Sequence, residues 1–168
     1  MANTFELIAS STVGSGGSAS IDFNSIPSTY TDLCLLLSLR DGTYAGTFST
    51  VYFTFNNDST SRSDRYLYGN GSATGSGSGS LMRIPNIPGT SATASTFANA
   101  VLYIPNYAGS NYKSSSVDVV PENNATATFM SFDANLWSNT AAINRVTFTS
   151  DGNFAQYSTA YLYGVKNA

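Results

Sequence analysis

The sequence predicts an all-β fold: a single-domain antiparallel β-sandwich, jelly-roll-like, with about nine or ten strands. Three observations support this prediction. Apolar and polar residues alternate with a period of two in short stretches along the chain, and two is the side-chain period of a strand. Turn-forming Gly, Pro, Asn and Asp residues separate these stretches. The chain also has 11 Tyr and 10 Phe, residue types that favour strands.

The predicted strands can be followed from one end of the chain to the other. In chain order they are SIDFN, TDLCLLLSL, VYFTF, RYLYG, AVLYI, SSVDVV, ATATFMSF, NRVTF and STAYLYGV. In TDLCLLLSL, alternation places Leu33, Leu35, Leu37 and Leu39 on one face. Cys34 and Leu36 make the opposite face apolar as well, so we expect a central strand that is covered on both sides.

Two further stretches illustrate the pattern and its limits. In VYFTF, Val51, Phe53 and Phe55 share one face, as expected of a half-buried strand. In ATATFMSF, Phe129 lies on one face and Met130 and Phe132 on the other. No stretch of about ten residues has the 3.6-residue period of a helix, although a short helical turn is expected near residues 133–139.

The region from about 70 to 94 differs from the rest of the chain. It is dominated by Gly, Ser, Thr and Pro and is broken by the apolar stretch LMRI. A loop of this length inside a domain is uncommon and is often functional or mobile. The sequence therefore predicts one domain over residues 1–168 with an extended Gly/Ser-rich loop or arm at about 70–94. Residues 1–18 are a second candidate arm.

Composition and charge narrow the classes of function. The 168 residues are enough for one domain with its own core. Charged residues are 10% of the chain, against about 25% in a typical domain. The seven Lys and Arg residues are dispersed and the net charge is −3. Phosphate and anionic lipid surfaces need a basic patch, so we expect neither nucleic acid nor a membrane as a partner.

The N-terminal region and the cysteine content indicate where the chain is made. The N-terminal stretch has no basic region followed by an apolar core, so no signal peptide is expected. Cys34 is the single cysteine, which excludes an intramolecular disulfide and is expected to be a buried, inert thiol. We therefore expect synthesis in a cytoplasm.

The side chains that most enzymes and metal sites require are scarce. The chain has no histidine, which excludes Ser-His-Asp triads and every zinc site that uses histidine. Ten Asp and Glu residues remain, but none has the context of a glycosidase carboxyl pair. The loop NNDSTSRSD offers oxygen ligands without the glycine and glutamate of an EF-hand. We expect no enzyme activity, no cofactor and no metal.

Aromatic and apolar side chains are the remaining candidates for a functional surface. Tyrosine suits the half-buried surface of a sheet and subunit interfaces, and tyrosine or tryptophan rings can also stack on sugars. The apolar stretch within the Gly/Ser-rich region could anchor an arm to a neighbouring subunit. The candidate interface or glycan surface consists of Tyr66, Tyr68, Leu81, Met82, Ile84, Trp137, Tyr161 and Tyr163.

Several longer stretches, taken together, resemble a known family. They are IASSTVGSGGSASIDFNSIPSTYTDL, RYLYGNGSATGS, LYIPNYAGSNYKSSSVD, ENNATA, LWSNTAAI and GNFAQYSTAYLYGVKN. In this order they are similar to small β-rich virion proteins of tailed bacteriophages, many of them from aquatic phages and cyanophages. The resemblance covers nearly the whole chain.

The resemblance implies a structural protein of the virion and supplies no catalytic residues. It fits both capsid decoration, also called cement, and a place in a fibre or tail. The short chain, the lack of a visible catalytic site and the two candidate arms favour decoration, in which a homotrimer stabilises contacts between major capsid subunits. Its partners would be other copies of itself and the major capsid protein or another virion protein. The alternative is a tail-fibre or tail-tip adsorption module that binds host surface glycans through its exposed aromatic residues.

Overall fold

The computed structural model describes residues 4–124 and 128–166, and these residues form an all-β protein. Twelve strands are present, against nine or ten expected from the sequence. They are β1 (Phe5–Thr12), β2 (Ser18–Phe23), β3 (Asp32–Leu39), β4 (Phe48–Phe55), β5 (Arg62–Gly69), β6 (Thr74–Gly79), β7 (Arg83–Pro88), β8 (Ala98–Ile104), β9 (Lys113–Val120), β10 (Met130–Trp137), β11 (Val146–Phe154) and β12 (Thr159–Val165).

The strands form two antiparallel sheets of unequal width. The wider sheet has eight strands in the order β1-β12-β3-β8-β9-β10-β5-β6, and the narrower sheet has four in the order β2-β11-β4-β7. One cluster of buried apolar side chains contains residues of both sheets, among them Leu35 and Leu102 of the wider sheet and Phe53 and Phe148 of the narrower one. The fold is therefore sandwich-like, with the core between the two sheets.

The alternation in the two leucine- and phenylalanine-rich stretches is confirmed. Leu33, Leu35, Leu37 and Leu39 of β3 are all buried, as are Val51, Phe53 and Phe55 of β4. The expectation that β3 would be covered on both sides is wrong, because Leu36 on its opposite face is 42% exposed. On this opposite face Cys34 is buried, as expected, whereas Leu36 is exposed, so the described chain covers the face only in part.

The expectation of a long Gly/Ser-rich loop or arm at about 70–94 is also wrong. Residues 74–79 form β6, which pairs with β5, and residues 83–88 form β7, which pairs with β4. The connection between β5 and β6 is a tight turn, in which Asn70 Oδ1 accepts hydrogen bonds from the backbone N–H groups of Ser72 and Ala73. An asparagine side chain that bonds to the backbone ahead of it commonly stabilises such a turn.

The segment after β7 is held to the body of the protein by Arg40. Its guanidinium group donates hydrogen bonds to the backbone carbonyls of Gly89, Ala92, Thr93 and Thr96, at distances from 2.8 to 3.3 Å. These bonds satisfy carbonyl groups that would otherwise depend on water. Residues 89–96 are therefore a fixed connection, although they belong to neither sheet.

Two smaller expectations also need correction. Residues 133–139 were expected to form a helical turn, but residues 133–137 continue β10, and this strand begins five residues later than ATATFMSF. Residues 125–127, the start of that stretch, lie outside the described residues. In the candidate N-terminal arm, residues 5–12 form β1, which pairs with β12, and β2 begins at Ser18. Residues 1–3 of that arm lie outside the described residues.

Candidate interaction surface

The outer face of the eight-stranded sheet, which points away from the core, carries an unusual number of apolar side chains. One row of paired residues crosses all eight strands and reads Ser10, Tyr161, Leu36, Val101, Asp118, Phe132, Leu67 and Ser76. The outer face of an antiparallel sheet normally has polar side chains in contact with water. In this row, five of the eight positions are aromatic or aliphatic.

The most exposed part of this face is centred on β10. Leu67, Met130, Phe132 and Val120 are 62%, 61%, 55% and 42% exposed, and together they line one shallow depression. We call these four residues the β10 patch. A contiguous apolar patch of large side chains on a soluble protein generally marks an interaction site.

Two opposite charges flank the β10 patch. Arg65 on β5 and Asp118 on β9 are the only charged residues at the outer positions of β9, β10, β5 and β6. Arg65 Nη1 donates to the backbone carbonyl of Asp64 at 2.7 Å. In the described part of the chain, neither Arg65 nor Asp118 has an ion-pair partner.

The inner side of the same strands is built differently. Tyr66 and Tyr68 point inward, with their rings stacked at a centroid distance of 6.4 Å. Both rings lie close against β6, because a Cβ placed on Gly75 or Gly77 would lie 2.5 Å from the Cζ atom of Tyr68 or Tyr66. The alternating glycines of β6 are therefore needed for close approach of the two rings. Its serines occupy the outer face.

The guanidinium group of Arg83 covers the other side of Tyr66. Its Cζ atom lies 4.1 Å from the centroid of the Tyr66 ring, a cation–π contact. On the far side of Tyr68, Phe129 lies at a centroid distance of 6.0 Å. Since β6, Arg83 and Phe129 occupy the faces of these two rings, Tyr66 and Tyr68 do not offer a free platform on which a sugar could stack.

The guanidinium group of Arg83 lies close to two buried carboxyl groups. Its Nε atom lies 3.0 Å from Asp64 Oδ2 and 4.0 Å from Asp133 Oδ1, and both aspartates are almost fully buried. Burial raises the pKa of Asp133 to about 6, because charging a carboxyl away from water is costly. Ser131 Oγ donates to Asp133 Oδ2 at 2.6 Å, whereas Asp133 Oδ1 has no hydrogen bond.

This carboxyl pair lacks the surroundings of a glycosidase site. A cleft lies beside it and is lined by Thr50, Tyr66, Tyr68, Arg83, Pro85, Asn86, Phe129 and Ser131. Neither Asp64 nor Asp133 lines that cleft, and both are oriented toward Arg83. A general acid or base must reach its substrate directly or through one water, and this geometry instead describes a structural ion cluster.

The candidate residues from the sequence are divided between surface and core. Leu81 and Tyr161 are partly exposed, at 39% and 38%, and Tyr163 is half-buried beside Tyr161 on the outer face. Met82, Ile84 and Trp137 are buried in the core, which corrects their assignment to a surface. Met82 and Ile84 are buried because LMRI enters the narrower sheet and does not form the tip of an arm.

Trp137 is held inside by packing and by one hydrogen bond. Its ring packs edge-on against Phe55 at a centroid distance of 5.8 Å, and its Nε1 donates to Asp58 Oδ2 at 2.7 Å. Asp58 also accepts two bonds from Thr60, and these contacts lower the pKa of Asp58 to about 2. Both carboxylate oxygens of Asp58, the first acidic residue of the loop NNDSTSRSD, therefore accept hydrogen bonds from within the protein.

The tetrapeptide YLYG occurs at residues 66–69 and again at residues 161–164, and the two copies face opposite ways. Strand alternation puts the two tyrosines of each copy on one face and the leucine on the other, and the sequence predicts an inward leucine in both copies. This holds for residues 161–164, where Leu162 is buried. It is wrong for residues 66–69, where Leu67 is exposed and the tyrosines point inward. The β10 patch was missed for the same reason, because alternation groups Met130 with Phe132 but does not reveal which face is the core.

Comparisons with known proteins leave the function to be argued from this geometry. No protein-family model matches the chain, and no curated protein matches it. Across residues 4–124 and 128–166, no helix is long and apolar enough to cross a membrane. Among these same residues, no three His, Cys, Asp or Glu side chains gather where they could hold a metal ion.

Proposed function

We propose that this chain is a non-enzymatic structural protein of a bacteriophage virion that acts as a capsid decoration, or cement, protein. The observation that supports this most is the outer face of the eight-stranded sheet. Its central row is largely apolar, and the sequence of β3 has the apolar character of a strand covered on both sides. The described chain leaves Leu36 on the outer side exposed, so another protein surface is the natural cover for that side.

The strand order supports a jelly-roll architecture, which is common among viral capsid and lectin domains. Four strands of the wider sheet, β1-β12-β3-β8, and the four of the narrower sheet, β2-β11-β4-β7, follow the strand order of a jelly roll built from eight strands. The remaining four strands, β9, β10, β5 and β6, extend one sheet sideways. The extension carries the β10 patch, so we infer that it is the part adapted for contact.

The outer face is large enough for such contacts. Eight strands about 4.8 Å apart span roughly 35–40 Å, and a face of that width can provide a protein interface of standard size. Because the face carries few charges, affinity would come from apolar burial and hydrogen bonds rather than from long-range attraction. The proposed assembly is a homotrimer on the virion, bound to the major capsid protein or another virion protein.

The proposal is tested by counting copies of the chain in purified virions by quantitative mass spectrometry. A decoration protein should approach the copy number of the major capsid protein. A few copies per particle, as expected for a tail or fibre component, would contradict the decoration role.

A glycan-binding adsorption module is the second candidate, and Tyr161 and Tyr163 favour it. They lie on the outer face, and Tyr163 shares a cross-strand row with Tyr103, with Cys34 between them. The Tyr103 hydroxyl donates to Asp32 Oδ2 at 2.5 Å. That hydrogen bond raises the pKa of Tyr103 to about 12. This role predicts binding to host lipopolysaccharide that is lost in Tyr161→Ala. Failure of the unaltered protein to bind on a glycan array or to host cells would count against it.

A further inference from the structure

The charges beside the β10 patch are arranged so that the patch complements itself. Asp118 on β9 and Arg65 on β5 lie on the two strands that flank β10, one on each side. Asp118 pairs with Phe132, and Arg65 pairs with Ala134, two residues further along β10. Neither charge has an ion-pair partner in the described chain, so both are available to another molecule.

We propose that the β10 patch binds the β10 patch of a second copy of this chain, about a two-fold axis that runs parallel to β10. The contact is a property of the chain itself and does not rest on the virion role. A two-fold interface uses the same surface on both copies, so each contact between two different residues occurs twice. A surface with one positive and one negative flank can therefore satisfy both charges by pairing with itself.

The geometry of this pairing follows from the strand order. Rotation about an axis along β10 places β9 of one copy over β5 of the other and preserves position along the strands. Asp118 of one copy then lies over the Leu67 position of the other, about 7 Å along the strand from Arg65. Packed sheets lie about 10 Å apart, and an extended arginine and aspartate can close that diagonal. The contact forms twice, once on each side of the axis.

The apolar side chains fit the same arrangement. Phe132 and Met130 lie on β10 itself, so each would pack close to its own counterpart across the axis. Small residues adjoin them, with Gly69 opposite Met130 and Ala134 two residues beyond Phe132. Large side chains beside small ones let two sheet faces interdigitate. The strands of the two sheets would run nearly parallel, which is the aligned class of sheet packing.

Pairing of this kind is compatible with the proposed trimer. A two-fold contact relates any two copies, whether or not each also belongs to a three-fold ring. On a closed shell, neighbouring three-fold positions are related by local two-fold axes, so the same contact would link adjacent trimers.

Charge exchange between the two flanks tests the proposal directly. Arg65→Asp and Asp118→Arg each create two like-charge contacts, and each single variant should weaken association by at least about 100-fold, a factor of ten per contact. Arg65→Asp/Asp118→Arg in one chain should restore association. An equal mixture of the two single variants should also associate, because each would supply the charge that the other needs.

Glu6→Lys, on the far edge of the same sheet, is the matched control and should associate as the unaltered protein does.

Sedimentation-velocity ultracentrifugation of the full chain over a range of concentrations measures these outcomes, and thermal melting checks that each variant folds. The expected result is an unaltered protein at least twice the mass of either single variant, with recovery in the double variant and in the mixture. Single variants with the mass of the unaltered protein would overturn the proposal. So would a double variant and a mixture that both remain dissociated, which would indicate a contact with a different protein surface.

Discussion

The two YLYG stretches contain the same four residues and face opposite ways in the same sheet. Leu162 of the second copy and Tyr66 of the first both lie in one inner row, which runs through Leu35, Leu102, Val117 and Asp133. Leu67 and Tyr161 both lie in the outer row. A shift of one residue in register exchanges the two faces of a strand. The same tetrapeptide therefore places Leu162 in the core near one end of the sheet and Leu67 in solvent near the other.

The cause of the difference is what lies beneath each strand. At β12, the core between the two sheets accepts an aliphatic side chain, and Leu162 is fully buried there. At β5, the narrower sheet has reached its edge strand, β7, and Arg83 of that strand supplies a charge. Tyrosine rings suit this position because they bury apolar area while tolerating a polar neighbour. Context, rather than the tetrapeptide, determines the orientation.

The largest expected effect comes from shortening the two leucines. Leu162→Ala removes a buried side chain and should lower the free energy of unfolding by about 2–5 kcal/mol. Leu67→Ala, compared in the Arg65→Asp background that keeps the chain dissociated, removes an exposed one and should change it by less than about 0.5 kcal/mol. Urea unfolding of the two variants measures the difference. Equal losses would contradict the opposite orientations, and both variants need m-values like that of the unaltered protein for the comparison to hold.

The second expected effect is a pH dependence confined to the first copy, whose Tyr66 pairs with Asp133. The folded pKa of Asp133 is about 6, above an unfolded value of about 3.9. Its neutral form is favoured in the folded protein. The contribution of Asp133 to the free energy of unfolding is therefore largest below pH 4 and falls as the pH rises to about 6. Two pKa units at about 1.4 kcal/mol each bound the loss at about 3 kcal/mol.

Asp133→Asn is the control for this pH effect, because the amide cannot titrate. The stability of the unaltered protein minus that of Asp133→Asn should fall between pH 4 and pH 6 in urea titrations. Subtraction removes the contributions of carboxyl groups with lowered pKa values, such as Asp22 and Asp41. A difference that stays flat or rises over this range would show that Arg83 holds Asp133 in its charged form.

The final glycines of the two copies provide a smaller contrast. A Cβ on Gly164 would lie 2.5 Å from Cδ2 of Tyr30, whereas a Cβ on Gly69 would meet only Met130 Cγ at 3.8 Å. Gly164→Ala should therefore cost about 1–3 kcal/mol through overpacking, and Gly69→Ala should be close to neutral. Adding Tyr30→Ala should reduce the cost of Gly164→Ala, since the two sites share one contact. Independent losses in this cycle would refute the proposed clash.

The smallest expected effect is that of one hydrogen bond of Trp137. Trp137→Phe keeps an aromatic ring against Phe55 but removes the hydrogen bond to Asp58. The lost bond should contribute about 1.5 kcal/mol to the destabilisation, because its acceptor is charged, and the cavity left by the smaller ring adds to that loss. The pKa of Asp58 should also rise, which NMR titration of its carboxyl carbon would detect. No change in that pKa would mean that Thr60 and Asn139 hold it low without Trp137.

The sequence predicted the parts of the fold that depend on local pattern. The all-β class and the buried faces of β3 and β4 follow from period-two alternation, and they are confirmed. The strand β6 could not be found this way, because TGSGSG has no apolar residue and resembles a flexible linker. Its role depends on Tyr66 and Tyr68 of the preceding strand, which lie on its glycines. Such a relation appears only after the register of the hairpin is known.

The candidate surface was harder to predict than the fold. Alternation grouped Met130 with Phe132, but both faces of that stretch contained aromatic residues, so the exposed face could not be identified. The sequence predicts Trp137 as a ring that stacks on a sugar and Met82 and Ile84 as the apolar anchor of an arm, but all three are buried. The complementary pair of Arg65 and Asp118 is separated by 53 residues in sequence and meets only across β10.

Cysteine labelling tests the central claim most directly, namely that the first YLYG copy faces a partner and the second faces the core. In a Cys34→Ser background, Leu67→Cys and Leu162→Cys are each treated with a bulky maleimide. The reaction is run with and without Arg65→Asp, the substitution that should dissociate the two chains. Leu67→Cys should react rapidly in the separated protein and slowly in the associated one, while Leu162→Cys should react slowly in both. A Leu67→Cys thiol that reacts equally fast in both states, or more slowly than that of Leu162→Cys, would contradict the claim.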